Sequence, residues 1–326
     1  MNPLIKLLKE SKTVLFIRIL SETFRQAVID AKYIANSDRY KTPAKLESDL
    51  AIRVHAIEKG LSIGNVKVGF GKPKAITILE DLQIYIKIGG RSGFVKEACS
   101  VIGQYIAFNK QLGANMSDVE FKYEDFITKY NVEKASLGGI YEMSFKDNIE
   151  PTINASFTTF SQSRYSIRDF GKTMVDANLI HNAIKMCERT PSACNRQSWR
   201  VYVFEGDKKN KMCELQGGCK GFYENMQYAI LICGDQRFYN INELHQVYVD
   251  GGLYAMNLMY ALHSQALASI PLTMGHKTGY TAIIKKTMGI PDYELPVILL
   301  GVGSYKEEYK VAVSMRKDYH EYVKFE

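Results

Sequence analysis

The chain has 326 residues, 46% hydrophobic and 24% charged, the proportions of an ordinary globular protein with material for a sizeable core. Its net charge of +7 allows attraction to phosphates, nucleic acid or anionic lipid, but no zinc finger, RNA-recognition signature or concentrated Lys/Arg tract supports nucleic acid. No run approaches the ~20 apolar residues of a membrane span, and the 6 cysteines hold no CxxC pair, which argues against a disulfide framework or structural metal and for a reducing cytoplasm.

Residues 1 to about 60 read as helical: Leu4, Leu7 and Leu8, then Val14, Ile17 and Leu20, recur at spacings of three and four between charged residues. The start never builds the apolar core of a signal peptide. Such a basic amphipathic stretch can lie on a membrane surface, although packing against the rest of the protein is the commoner fate. His55 and Glu58, three apart, share a helix face as a structural pair, and Gly60 is a helix stop. Residues 65–73 form a loop. Residues 75–112 are helix broken at Gly89-Gly90, and residues 117–130 form another, with Ser117 or Asp118 as cap. Residues 1–150 are thus an all-helical region without recognisable chemistry. Residues 137–140 and the polar run 146–163 read as a linker into a second region, 151–326.

In that second region residues 176–189 form a helix capped by Asp176, residues 199–205 alternate as a strand, and residues 207–215 form a short helix before the turn-rich loop 216–222. Residues 228–233 are a buried strand. Residues 243–265 form a long helix whose Gly251 and Gly252 cost about 1 kcal/mol each against Ala, which marks the close approach of another backbone. Residues 268–273 are extended and carry Pro271, and residues 296–303 are a last buried strand. Strands separated by helices give a central sheet with helices on both faces. No Gly-x-Gly-x-x-Gly or Walker-type loop precedes a helix, so side chains must hold any bound phosphate.

Two motifs carry the chemistry. In Ser163-Arg164-Tyr165-Ser166-Ile167-Arg168-Asp169-Phe170, an extended backbone projects Arg164, Ser166 and Arg168 to one side, which suits a phosphate dianion. About one helix later, Pro191-Ser192-Ala193-Cys194-Asn195-Arg196-Gln197-Ser198-Trp199 offers Ser192, Asn195 and Gln197, groups that both donate and accept and so read the edge of a flat heterocycle. Cys194 reads as a small packed residue.

In this order and spacing, the two segments resemble the flavin signature of the nitroreductase family, over residues of about 160–320. The resemblance implies an α+β fold, an α/β sandwich around a mainly antiparallel sheet, preceded here by the unmatched helical region. It implies FMN as cofactor, with Arg164, Ser166 and Arg168 on the phosphate and ribityl chain and Tyr165 contributing through its backbone. Ser192, Asn195 and Gln197 match positions that reach the flavin from the other subunit of a homodimer, and Gln216 one that reads the pyrimidine edge. Residues 270–273, with Pro271 and Leu272, fall where a backbone N–H points at the flavin N5, and Arg316 where a basic residue clamps the phosphate. The activity implied is that of a cytoplasmic NAD(P)H oxidoreductase that reduces a nitro compound, quinone or similar acceptor by ping-pong hydride transfer, with no catalytic side chain. The alternative is an accessory binding protein that docks to a membrane or partner through its helical part, possibly in surface polysaccharide synthesis, and retains a flavin fold.

Overall fold

The spacing of three and four resolves, in a computed structural model that describes residues 11–35 and 42–326, into a run of helices: α1 (Lys12–Ala35), α2 (Pro43–Leu61), α3 (Lys72–Lys87), α4 (Ser92–Gln111) and α5 (Ser117–Lys129). The Leu4, Leu7 and Leu8 stripe lies outside the described residues. Pro43, in the first turn of α2, presets its backbone for helix, and Gly89, at φ +84, separates α3 from α4. Leu46, Leu50, Val54, Ile57 and Leu61 form one buried stripe of α2 that packs with Leu82, Ile102 and Phe126. Burial of each such side chain contributes about 1.5–3 kcal/mol. At α5 the cap lies upstream of the expected residues, because Asn115 Oδ1 accepts from the Ser117 N–H at 3.1 Å and from its hydroxyl at 2.8 Å. On α1, Phe16, Leu20 and Phe24 are exposed.

The second half is built on a 4-stranded antiparallel sheet of order β2 (Trp199–Glu205), β3 (Tyr228–Asp235), β5 (Glu294–Ser304) and β4 (Leu267–Thr273). Helices cover both faces, so its central strands are buried on both sides. Tyr228, Ile230 and Ile232 meet α7 (Ala177–Met186) and α9 (Gln246–Ser264). Ala229, Leu231 and Cys233 meet α8 (Gly206–Gln216) and α10 (Thr278–Met288). Gly251 of α9 does mark a close approach, but by a side chain: a Cβ there would lie 2.8 Å from Val297 Cγ2 of β5. Gly252 faces open space.

The expected linker is structured. β1 (Ile140–Ser144) pairs antiparallel with β6 (Glu308–Ala312), Tyr141 opposite Val311, and α6 (Phe157–Ser163) precedes the arginine motif. Among the described residues, no helix is long and apolar enough to cross a membrane, and no group of His, Cys, Asp and Glu is placed to hold a metal ion. All six cysteines are free.

Candidate functional site

The free side of edge strand β4 is taken by the segment that follows α6, where the Ile167 N–H donates to the Ser269 carbonyl at 3.0 Å. That bond fixes the alternation. Ile167 turns into the core, fully buried, and Arg164, Ser166 and Arg168 project instead into a cavity of about 750 Å3. Tyr165 also lines it, its ring edge-on to Tyr141 at 6.5 Å. Pro271 of β4 and Arg316, beyond β6, add to the wall. The Arg-Ser-Arg segment, Pro271 and Arg316 therefore line one cavity.

The guanidinium groups are short of partners. Among the described residues, Arg164 Nη1 and Arg168 Nε are buried without a hydrogen bond, although buried polar groups are nearly always satisfied. Burial pushes Arg168 down to about 10, opposed by the charge of Glu58, and pushes Arg164 down too, with Arg316 acting in the same direction. Among the described residues, the charged and titratable groups acting on Arg164 are Tyr260, Tyr305 and Arg316, with no carboxylate. Arginine stays charged, so cations this buried are stabilised by an anion that accepts their free donors.

Behind Arg164 lies a satisfied network. Ser163 donates to the Phe160 carbonyl at 2.8 Å, so His263 Nε2, 2.8 Å from the same hydroxyl, carries the donated proton. His263 Nδ1 then accepts from the Tyr305 hydroxyl at 3.3 Å. This imidazole is neutral, pushed down to about 4 by burial and by the charge of Arg164.

The helical region supplies the opposite wall. His55 of α2 and Ser136 line the cavity, as does Tyr141 of β1. Glu58, 2% exposed, accepts from the Gly139 N–H at 2.9 Å and the Ser314 N–H at 3.3 Å, and so ties α2 to the approach of β1 and to the segment after β6. Both turns are left-handed, Gly139 at φ +108 and Ser314 at φ +47. From the sequence His55 and Glu58 have only a structural role, and no local signal marks Tyr141. The His-x-x-Glu spacing was visible, whereas the packing of α2 on the arginine segment was not.

Ser192, Asn195 and Gln197 do not line this cavity. Their loop carries positive φ at Cys194, Asn195 and Gln197, and Cys194 is exposed rather than packed. Such strain in non-glycine residues persists only where the surroundings hold it. Arg196 grips Glu243 at 2.8 and 2.6 Å, and the buried Asp250 accepts from the Ala193 N–H at 3.2 Å. Gln216 is also elsewhere: its Nε2 donates to the Thr273 carbonyl at 3.1 Å and its Oε1 accepts from the Gly218 N–H at 2.7 Å, so both ends are occupied by backbone. At Leu272 the expected N–H is turned away. Because the Ser269 carbonyl faces the free edge, antiparallel alternation sends the Leu272 backbone groups toward Leu299 of β5 and leaves the edge position to Pro271, which has no N–H. The Leu272 side chain is in the core.

The sequence model described as "Nitroreductase family" matches residues 162–218. Among solved structures, the chain is similar to a nitroreductase family protein from Streptococcus pneumoniae TIGR4, at 20% identity and TM-score 0.45, over 52% of this chain and 100% of that one. It is also similar to an FMN-dependent nitroreductase from Clostridium difficile R20291, at 19% identity and TM-score 0.43, over 51% and 96% of the two chains. The part matched by that family model, residues 162–218, thus begins with the segment that points its arginines into the cavity and lies behind a helical N-terminal region.

Proposed function

We propose that the protein is an FMN-dependent NAD(P)H oxidoreductase that works as a cytoplasmic homodimer. The observation that carries the reading is the pair of buried guanidinium donors without partners, Arg164 Nη1 and Arg168 Nε, on the family-matched segment of a cavity of about 750 Å3. Its volume lies within the ~300–1,000 Å3 of ordinary cofactor sites. Arg164, Arg168 and Arg316 would hold the phosphate, and Ser166 would add a neutral donor. When bound, FMN supplies the redox chemistry, hydride uptake from NAD(P)H and delivery to a small organic acceptor such as a nitro compound or quinone.

The dimer reading draws on α9, whose Tyr248, Val249 and Leu253 are exposed, and on the exposed Asn195 and Gln197. In a pair of subunits these would face the neighbouring cavity. Free thiols throughout the chain favour the cytoplasm.

Purified protein should be yellow, release FMN on denaturation and oxidise NAD(P)H when an acceptor is present. Colourless protein that cannot be reconstituted with FMN would end the proposal.

A further inference from the structure

The helical region, in which the sequence shows no chemistry, puts a side chain into the cavity. Arg168 Nη2 lies 3.2 Å from His55 Nε2. A guanidinium has no lone pair to offer, so Arg168 donates and Nε2 accepts. An imidazole that accepts at Nε2 carries its proton on Nδ1, which here faces the Glu58 carboxylate at 3.6 Å, an electrostatic contact too long for a hydrogen bond. Glu58 is itself fixed by the Gly139 and Ser314 N–H groups. A line of contacts thus runs from a buried, anchored carboxylate through the imidazole to the guanidinium. Held at Nη2, the fork keeps its buried Nε without a partner.

We propose that His55 is a positioning residue of the anion site. It orients Arg168 so that the remaining donors meet a phosphate group, and it makes α2 part of the ligand site rather than a separate scaffold. The inference rests on reading the cavity as a phosphate-holding cofactor site.

The test compares the full-length protein with His55→Gln, His55→Asn and His55→Leu. The Gln amide oxygen reaches about as far as Nε2, whereas Asn stops near the Nδ1 position. Affinities for FMN, riboflavin and inorganic phosphate are measured by fluorescence quenching or calorimetry, with the melting temperature of the ligand-free protein alongside.

His55→Leu and His55→Asn should weaken FMN and phosphate binding about tenfold, the worth of one hydrogen bond to a charged group. His55→Gln should stay within about twofold of the parent, with riboflavin affinity and melting temperature unchanged throughout. Equal FMN and phosphate affinity in His55→Leu and the parent would overturn the proposal, as would Asn and Gln variants that behave alike. Should the parent bind inorganic phosphate but not FMN, the cofactor reading fails while the phosphate series still decides the role of His55. Binding of neither probe by the parent overturns both.

Discussion

Two arginine clusters join the helical region to the rest of the chain, and they are built on opposite principles. At Arg91, each guanidinium nitrogen has a carboxylate partner. The guanidinium donates to Glu47 at 3.0 and 2.6 Å and also meets Glu321, while Lys317 lies 3.5 Å from the same Glu47. Hydrogen bonds from Arg91 hold Glu47 down to about 2. Around Arg164 and Arg168, burial instead pushes the cations down, and donors are left over. A cluster closed on itself holds a fold, whereas one left open keeps buried donors unsatisfied, as the proposed anion site requires.

Arg168→Ala should give the largest effect, a loss of FMN affinity of about 100-fold, equivalent to ~2.7 kcal/mol for charged hydrogen bonds. Its ligand-free melting temperature should hold or rise, since an uncompensated charge is removed. An unfolding penalty as large as the binding loss would erase the contrast between the clusters. Glu47→Ala should do the reverse, with a loss of about 2–3 kcal/mol in urea unfolding and unchanged FMN affinity, because the buried face of Arg91 is left unpaired.

Stability also depends on pH through two carboxylates of the helical region. The folded pKa of Glu47 lies below its ordinary value, so its contribution is present above about 4.5 and is lost as pH falls toward about 2. Glu97 has the opposite sign: burial, reinforced by Glu58, raises it from 4.5 to about 7, so the folded state holds the extra proton and stability falls as pH rises through that window. Glu97→Gln should therefore gain about 1 kcal/mol at pH 8, allowing for the solvent that reaches it, and nothing near pH 4, by calorimetry at both. The smallest effect belongs to an exposed pair. Lys110→Ala, which breaks a 2.9 Å contact with Glu120, should cost less than about 0.5 kcal/mol in the same assay.

The elements that were legible in the sequence are those set by local pattern. The strand at Trp199–Glu205 needed only alternation, and the Asp176 cap, which accepts from the Asn178 N–H at 2.9 Å, needed only its residue type. The convergence of Arg164, Ser166 and Arg168 followed from the period of an extended chain. β1 and β6 are not marked locally because each is a 5-residue strand, β1 has no fully buried position, and each is stabilised by a partner far away in the sequence. The same non-locality hid half of the cavity. Nothing in the neighbourhood of His55 announces that Arg168 will lie beside it, and nothing near Leu272 tells which way its N–H will turn until Ile167 occupies the edge of β4.

The pairing of β1 with β6 has a consequence for how the protein is made. β1 leaves the ribosome before every strand of the sheet, yet its mate is the last strand of the described chain. The core of α2 to α5 is complete by Lys129 and can compact during translation, while β1 waits with a bare row of amides, a temporary aggregation hazard. Ala312, the last residue of that ribbon, and residues 313–316, directly after it, finish the cavity wall. A nascent chain thus has no finished pocket until residues 313–316 have been added and β6 has found its mate.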